Sequence, residues 1–573
     1  MNESVRITTE RADDIPLLLA QMERMGVPRL MDEHFPAHGN WRGVSVGWVV
    51  TLWLSYILSR ADHRLNQVQG WAEQRLETLR RCTGQPVRAL DLSDDRLAGV
   101  LEALADDRRW AAWEGAMTGH LVRVYDLRPQ RVRLDSTTAS GYWEVTEDGL
   151  FQFGHSKDHR PDLPQVKVML ATLDPLGLPV ATDVLSGERA DDPLYLPAIA
   201  RVRASLGQTG LLYVGDCKMA ALETRASVQA AGDFYLCPLP ATQITPEALA
   251  ALLAPVAEGT QALTPIVRTA ADGQERVIAE GFEQQERLSV QVAGQEVTWD
   301  ERRLIVRSPA HARAAEQALR ARLAQAQAAL AALNVGGRGK RRLPDRATAE
   351  QAVAAILTRY QMGDLLRVTV TEESVERPMR GYRGRPATVR QTRQVHVTAQ
   401  GEEAALATTV QRLGWRVYAA TQPATEFSLA QAVLAYRDEY LVEHGLGRLK
   451  GQPLALTPLY LERDDHATGL IRLLAIALRV LTVVEFVVRR RLAQTGALLT
   501  GLYAGNPRRT TARPTAERLL EAFGALTLTM IHTPQQVLHH LSPLSALQQR
   551  ILALLDLPPD TYTRLAALSV QPP

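Results

Sequence analysis

At 573 residues, with 46% hydrophobic residues, the chain is long enough for three or four folded domains of about 150 residues each and too apolar to be disordered. Its three cysteines, Cys82, Cys217 and Cys237, form no Cys-x-x-Cys pair, which argues against a zinc knuckle or a disulfide framework and for a reducing, cytoplasmic setting. The net charge of +2 decides nothing about nucleic acid, because a basic face can be offset by acids elsewhere.

Residues 1–128 read as a helical N-terminal domain. Glu3, Arg6, Glu10 and Arg11 precede any apolar run, so the layout of a secretory signal is missing. Apolar residues recur at helical spacing through Ile15–Leu30, Val46–Leu58 and Ala98–Trp113, with turn signals around Pro36–Gly43 and at Gln85-Pro86, and Ser93 is placed to cap the helix after it. A helix-turn-helix DNA reader and a plain packing domain both fit this pattern. Gly43-Val44-Ser45-Val46-Gly47 has the spacing of a nucleophile elbow, but no strand precedes it, so a serine hydrolase is not indicated.

From Arg131 the pattern changes to strands. Val132–Thr138 is followed by Val166–Leu173 and Val180–Leu185, the latter two joined by the turn Asp174-Pro175-Leu176-Gly177-Leu178. A helix from about Asp192, a strand ending at Asp216, a helix from about Met219 and the strand Phe234–Leu239 complete a β-β-β-α-β-α-β order. That order predicts an α/β fold with an RNase H-like core, a mixed sheet flanked by helices, whose first part is 129–239.

Residues 240–425 interpose strand-rich pieces (Leu288–Val292, Arg303–Val306, Leu366–Thr371, Gln394–Val397, Arg416–Ala420) around an Ala-rich helix, Ala310–Leu333, and read as an insertion domain. The arginines on that helix, Arg313, Arg320 and Arg322, are expected on a solvated face. Gly336-Gly337-Arg338-Gly339-Lys340 lacks the spacing of a phosphate-binding loop, and Arg338–Arg342 reads equally as a linker and as a DNA-contacting loop.

The second part of the core is 426–488. Ser428 and Gln431 form a capping box for a long helix that Gly451 and Pro453 stop, and on it Tyr436, Glu443 and Lys450, seven apart, fall on nearly one face. Gly445 and Gly447 predict an early end or a bend there. The apolar stretch Leu470–Val488 is interrupted by Arg472, Arg479 and Glu485, which predicts a buried helix and no membrane span. The C-terminal region, 489–573, reads as basic and then helical. Between Phe486 and Ala516 it holds Arg489, Arg490, Arg491, Arg508, Arg509 and Arg513 with no acid, a charge run suited to backbone phosphates or to a solvated helix end.

Three separated acids are the chemical signal. Asp135 and Asp216 end apolar strand-like runs, and Glu443 sits on the long helix. Hard divalent cations require carboxylate oxygens, and strand ends of one sheet can bring remote acids together. Asp135, Asp216 and Glu443 are therefore the candidate catalytic and metal-binding residues. Tyr436 and Lys450 are candidate phosphate contacts, with Arg437, Arg448, Lys218, Lys157, His159 and Arg160 as further DNA-binding candidates. His155 and His159 lack the helical context and the glutamate of a zinc motif.

On these residues the chain resembles bacterial insertion-sequence DDE transposases, namely the insertion-sequence 4 clan and its 1634-type branch. Leu134-Asp135-Ser136-Thr137-Thr138 resembles the first-acid motif and Tyr213-Val214-Gly215-Asp216-Cys217-Lys218-Met219 the second. Tyr436, Glu443 and Lys450 fall on the signature Tyr-x2-Arg-x3-Glu-x6-Lys, with Glu439 where the signature has arginine. Gly154–Asp162 and Gln165–Val168 share the family's look.

The resemblance implies metal-dependent nicking at the ends of an insertion sequence. Strand transfer into target DNA follows, in cut-and-paste transposition with a hairpin intermediate as one route. It implies two Mg²⁺ ions, with Mn²⁺ as a substitute, double-stranded DNA at element ends and target as partners, a homodimer in the synaptic complex, and a cytoplasmic, nucleoid-associated location. Two alternatives stand beside it: a decayed or domesticated transposase that binds DNA without cleaving it, which Glu439 favours, and a structure-selective nuclease on the same core.

Overall fold

The computed structural model describes residues 6–269, 273–335, 343–379 and 388–566. The basic run Arg338–Arg342 lies outside the described residues. The chain divides into two compact units, the first made of Met1–Cys237, Arg287–Trp299 and Ala435–Pro573, the second of Pro238–Glu286 and Asp300–Leu434.

In the first unit, the sheet that carries the acids is built from β1 (Arg131–Ser140), β2 (Gln165–Leu173), β3 (Leu178–Ser186), β4 (Leu212–Val214) and β5 (Phe234–Pro238). Their spatial order is β3-β2-β1-β4-β5. β2 runs antiparallel to both β1 and β3, whereas β4 and β5 run parallel to β1 and to each other. The Asp174–Gly177 turn makes the β2/β3 hairpin as its residues predict, with Gly177 at φ +71°. Every residue of β2 is buried, as expected for a central strand covered on both faces. The parallel strands need crossovers, supplied by α1 (Tyr195–Leu206), entered through the turn Asp192–Leu194, and by α2 (Leu222–Ala230), entered through the turn Cys217–Ala220.

The capping box forms as read: Gln431 N–H donates to Ser428 Oγ at 3.3 Å and Ser428 N–H to Gln431 Oε1 at 2.8 Å. The long helix it starts is interrupted, however. It ends as α3 (Leu429–Arg437) and resumes as α4 (Tyr440–Lys450), across a tighter turn in which Glu439 N–H bonds Tyr436 O. Gly445 and Gly447 do not end α4 early, since it runs through both to Lys450. At Gly445 the helix lies close enough to Leu478 and Leu170 that an added Cβ would make ordinary contact with both.

The run Leu470–Val488 is the centre of α5 (Asp464–Thr495), buried over most of its length. No helix among the described residues is long and apolar enough to cross a membrane. Each charge interrupting that run has a partner: Arg472 donates to Leu104 O at 2.8 Å and pairs with Asp107, Arg479 pairs with Glu114, and Glu485 accepts from Arg448 at 2.5 Å. Gly469 lets α5 meet the helix Asp94–Leu104, since a Cβ there would lie 2.2 Å from Leu101 O.

Several N-terminal helices fall near the predicted spans, Ile15–Arg24, Val27–His34 and Val46–Arg60, while Ala98–Trp113 divides between Asp94–Leu104 and Asp107–Val124. Ser45 is an N-cap, its hydroxyl accepting from Trp48 N–H, which accounts for the elbow-like spacing. Ser93 holds the N-cap position without a side-chain bond. The helical reading misses the strand Arg6–Arg11, which pairs with Thr527–His532, itself paired with Val537–Leu541 in the stretch read as helical.

In the second unit, Trp415–Ala420 pairs antiparallel with Arg302–Arg307, and Thr264–Thr269 with Glu275–Gly281. The Ala-rich helix, Pro309–Ala332, packs with Arg346–Tyr360 over the long hairpin of Leu366–Met379 and Thr388–Gly401, around Leu319, Leu330, Val353, Leu366 and Val397. Arg320 is exposed and pairs with Glu316 one turn away, the solvated role expected of it.

Candidate functional site

The β1/β4 register sets the two aspartates together. Arg131 pairs with Leu212, Val132 with Tyr213 and Arg133 with Val214, where the pairing ends two residues short of Asp135 and Asp216. Neighbouring strands lie about 4.8 Å apart, and Asp216, two residues beyond the end of β4, is near enough for its charge to help raise Asp135. The strand-like path continues past β4, because Gly215 N–H still reaches Leu236 O at 3.3 Å.

Asp216 is held from two sides. It caps the turn Cys217–Ala220, accepting from Lys218 N–H at 2.8 Å, and it accepts from the Tyr195 hydroxyl at 2.6 Å. Gly215 makes room for this, since a Cβ there would lie 2.9 Å from both Tyr195 and Met219. Burial, reinforced by the Asp216 charge, pushes the Tyr195 hydroxyl well above its usual range, so it stays a donor.

Asp135 is more enclosed. Burial raises its carboxyl above the ordinary range, the Lys157 ammonium and the Ser136 amide pull it back, and Asp216 adds to the rise. Lys157 Nζ stands 3.4 Å from Asp135 Oδ1, 2.9 Å from Ser136 Oγ and 2.5 Å from Ser136 O. Ser136 Oγ donates to Asp191 at 3.1 Å, and Lys167 Nζ donates to the same carboxylate at 2.7 Å. Burial alone would raise Asp191; the Lys167 hydrogen bond and the charges of Lys157 and Lys167 hold it below the carboxylate range.

α4 brings two glutamates. Glu443 is exposed, in the first turn of the helix. Glu439, half-buried just before that turn, is raised by burial and then by the charges of Glu443, Asp135 and Asp216, while the Tyr436 hydroxyl bonds it and lowers it. Glu439 stands where the resembled signature has arginine, and its carboxyl is coupled electrostatically to Glu443, Asp135 and Asp216. Asp135, Asp216, Glu439 and Glu443 offer oxygen atoms alone, the donor chemistry a hard divalent ion takes; Asp135, Asp216 and Glu443 do not bring three ligand atoms within 4.8 Å of one another, and the Lys157 ammonium sits against Asp135. Among the described residues, the three metal-ligating side chains whose ligand atoms lie within 4.8 Å of one another are Glu102, Asp465 and His466. There Arg463 already bridges Glu102 and Asp465 at 2.7 and 2.6 Å, so an ion-pair network fills that cluster.

The predicted phosphate contacts separate into groups. Lys450 pairs with Asp158, next to Lys157 in the chain. Tyr436 is buried against Glu439, and Arg437 is half-buried at the end of α3. Lys218 is exposed, 3.6 Å from Asp192. His159 and Arg160 are exposed, His159 at φ +57° and Arg160 paired with Asp162 at 2.8 Å. Arg448 is corrected: its side chain is 6% exposed and engaged by Glu485 at 2.5 Å and Glu517 at 2.7 Å, so it braces α4 and is not open to phosphate. The basic run from Arg489 is similarly divided. Arg489 pairs with Glu485 and Arg490 donates to Tyr125 O, each at 2.6 Å, while Arg508, Arg509 and Arg513 are exposed.

Sequence reading missed Tyr195, Asp191 and Lys167 as members of the site. Their signal was position: Asp191 and Tyr195 flank the start of the helix read from about Asp192.

No protein-family model matches the chain, and no curated protein matches it. Among solved structures the chain is similar to a piggyBac transposase, determined by cryo-EM as a synaptic complex with hairpin DNA, at 10% identity. The match covers 81% of this chain and 80% of that one, with a TM-score of 0.23. At that TM-score the superposition establishes no shared fold.

Proposed function

We propose that the protein is a DDE-type transposase with an RNase H-like core, which cleaves DNA at the ends of an insertion sequence and joins those ends to target DNA. The observation that carries this reading is the parallel β1/β4 register, which ends at Arg133 and Val214 two residues short of Asp135 and Asp216, together with the charge coupling between those two carboxylates. The β3-β2-β1-β4-β5 order and the acid-bearing helix α4 agree with it.

In this reading Asp135, Asp216 and Glu443 hold the divalent ions, with Glu439 as an adjoining fourth carboxylate. When bound, two such ions supply charge stabilisation to the attacking and leaving oxygens of a phosphodiester. The chain's own groups do the positioning. Tyr195 fixes Asp216 by a charge-assisted hydrogen bond, and the Asp191–Lys167 pair holds Ser136 and, through it, the strand carrying Asp135. Lys450 and the exposed Lys218, His159 and Arg160 grip backbone phosphates, contacts that position the duplex without reading its sequence. Placement in the insertion-sequence 4 clan and a homodimeric synaptic complex belong to the same proposal.

One observation favours a second reading. A carboxylate at Glu439, where the family signature has a cation, adds negative charge beside a phosphate path and suits a protein that binds DNA without cutting it.

The test is incubation of the purified protein with Mg²⁺ and a labelled duplex bearing the DNA that borders this reading frame, beside Asp216→Ala. Metal-dependent nicking at one boundary that Asp216→Ala abolishes, with joined products on a target duplex, supports the transposase reading. Nicking without joining supports a nuclease, and binding without nicking supports the second reading.

A further inference from the structure

Two adjacent residues, Lys157 and Asp158, each occupy a position that the proposed reaction needs for something else. The Lys157 ammonium has three hydrogens and faces three oxygens, Ser136 O at 2.5 Å, Ser136 Oγ at 2.9 Å and Asp135 Oδ1 at 3.4 Å. Its backbone N–H is anchored on Thr138 Oγ1 at 3.1 Å, so the loop is tied to β1 itself. Asp158 pairs with the Lys450 ammonium at the end of α4. Ser156, 8% exposed, accepts from the N–H groups of Asp158 and Arg160 at 3.2 Å each and fixes the turn that aims the two side chains apart.

We infer that Lys157 and Asp158 form an internal clasp that a divalent cation and a DNA phosphate must displace. Lys157 covers the first acid with a cation, and Asp158 covers the signature lysine with an anion. This rests on the proposed function, which puts a metal ion at Asp135 and a phosphate at Lys450. An ammonium 3.4 Å from Asp135 Oδ1 and a divalent ion on the same oxygen repel each other strongly. Both ion pairs are partly exposed, with side-chain exposures of 30% and 22% for Lys157 and Asp135 and of 22% and 30% for Lys450 and Asp158. Pairs of that exposure are weak enough to exchange for a better partner. Because the two residues are neighbours on one short loop, opening one pair loosens the other, which couples cation entry to DNA entry.

The clasp is tested by titrating the full-length protein with Mn²⁺, following free Mn²⁺ by electron paramagnetic resonance, without DNA. The panel is wild type, Lys157→Gln, Lys157→Arg and Asp135→Asn. Lys157→Gln is expected to tighten Mn²⁺ binding about fivefold, the worth of a partly exposed ion pair. Lys157→Arg keeps the charge and is expected to match wild type. In EDTA, Asp158→Asn is expected to tighten binding of the duplex bordering the reading frame by a similar factor, by releasing Lys450. Mn²⁺ binding that needs Asp135 but is unchanged or weakened in Lys157→Gln overturns the clasp and leaves the metal site standing. Mn²⁺ binding indifferent to Asp135→Asn overturns the metal site and the clasp with it.

Discussion

The charges inside α5 give the sharpest quantitative prediction, because the two partners of one buried ion pair are supported unequally. Glu114 is fully buried and accepts from Arg479, from Arg201 and from Thr182 N–H at 3.2 Å. Arg479, also fully buried, has Glu114 as its ion-pair partner, donates to Pro179 O at 3.0 Å, and stacks over Trp110 and Trp113 at 5.7 and 5.6 Å. Glu114→Gln keeps the shape but leaves the Arg479 charge in an apolar wall without its counter-charge, which costs about 3–5 kcal/mol. Arg479→Met removes the charge itself, and Glu114 keeps Arg201 and the amide, so the cost falls to about 1–2 kcal/mol for the two lost bonds, to Glu114 and to Pro179 O. At about 2–4 °C per kcal/mol, the melting transition of the first unit should drop about 10 °C in Glu114→Gln and about 4 °C in Arg479→Met. Differential scanning calorimetry of the two variants measures both. If Arg479→Met is the more damaging of the two, the pair is stabilising in its own right and the argument from unequal support is refuted.

Other parts of the fold give predictions of a different kind. Asp14 is buried, accepts from Ser59 at 2.6 Å and has its pKa pushed up to about 6 from 3.8, chiefly by burial. Its folded pKa lies above its unfolded one, so the stability it contributes is full below about pH 4 and lost as pH rises through about 6, a change of about 3 kcal/mol at 1.36 kcal/mol per pH unit. Asp14→Asn should therefore lose fewer degrees than wild type between about pH 4.5 and 7.5, because the other raised carboxyls remain; equal losses in both would remove Asp14 as a cause. Tyr195→Phe keeps the buried ring and deletes the hydroxyl that fixes Asp216, so Mn²⁺ affinity should fall about tenfold with little change in melting; unaltered affinity would mean Asp216 is positioned without it. Glycine-to-alanine changes in two helices should have opposite signs. Gly469→Ala drives a Cβ into Leu101 O and should destabilise by about 1–3 kcal/mol. Gly447→Ala meets nothing within 4 Å and should stabilise by about 0.5–1 kcal/mol, which melting curves of the two variants can decide.

What the sequence showed depended on how far away the deciding partner lay. Ser428 and Gln431 are three residues apart and cap as read, and the Asp174–Gly177 turn sits between the strands it joins. The chain order β-β-β-α-β-α-β followed from local signals, whereas the spatial order β3-β2-β1-β4-β5 rests on pairings between remote segments. Arg448 could not be read this way, because its partners Glu485 and Glu517 lie on other elements and nothing near it in the chain announces them. The same holds for Glu10, whose carboxylate accepts from the backbone amides of Glu77 and Thr78 at the start of the helix Leu76–Thr83. The C-terminal strand is a different case. Thr527-Leu528-Thr529-Met530 alternates polar and buried apolar residues, a period of two that was present in the sequence and passed over in favour of a helical reading.

The break between α3 and α4 explains why an argument from helical faces reached Glu443 and passed over Glu439. On one continuous helix, Tyr436, Glu443 and Lys450 share a stripe, and Glu439 is simply the wrong residue at a signature position. The chain instead tightens after Tyr436: Asp438 and Glu439 N–H bond the carbonyls of Ala435 and Tyr436, three residues back. Three residues per turn brings side chains at i and i+3 into line, which sets Glu439 under the Tyr436 hydroxyl that bonds it. Normal α-helical spacing returns with Glu443 N–H on Glu439 O, one turn later. Two glutamates thus follow one another at the start of α4, the first half-buried and coupled to Asp135 and Asp216, the second exposed. The negative charge of Asp135 and Asp216 reaches Glu439 and helps to raise its carboxyl. A carboxylate there deepens that charge, and the Lys157 ammonium on Asp135 offsets part of it. Glu439 and Lys157 therefore bear on one electrostatic balance.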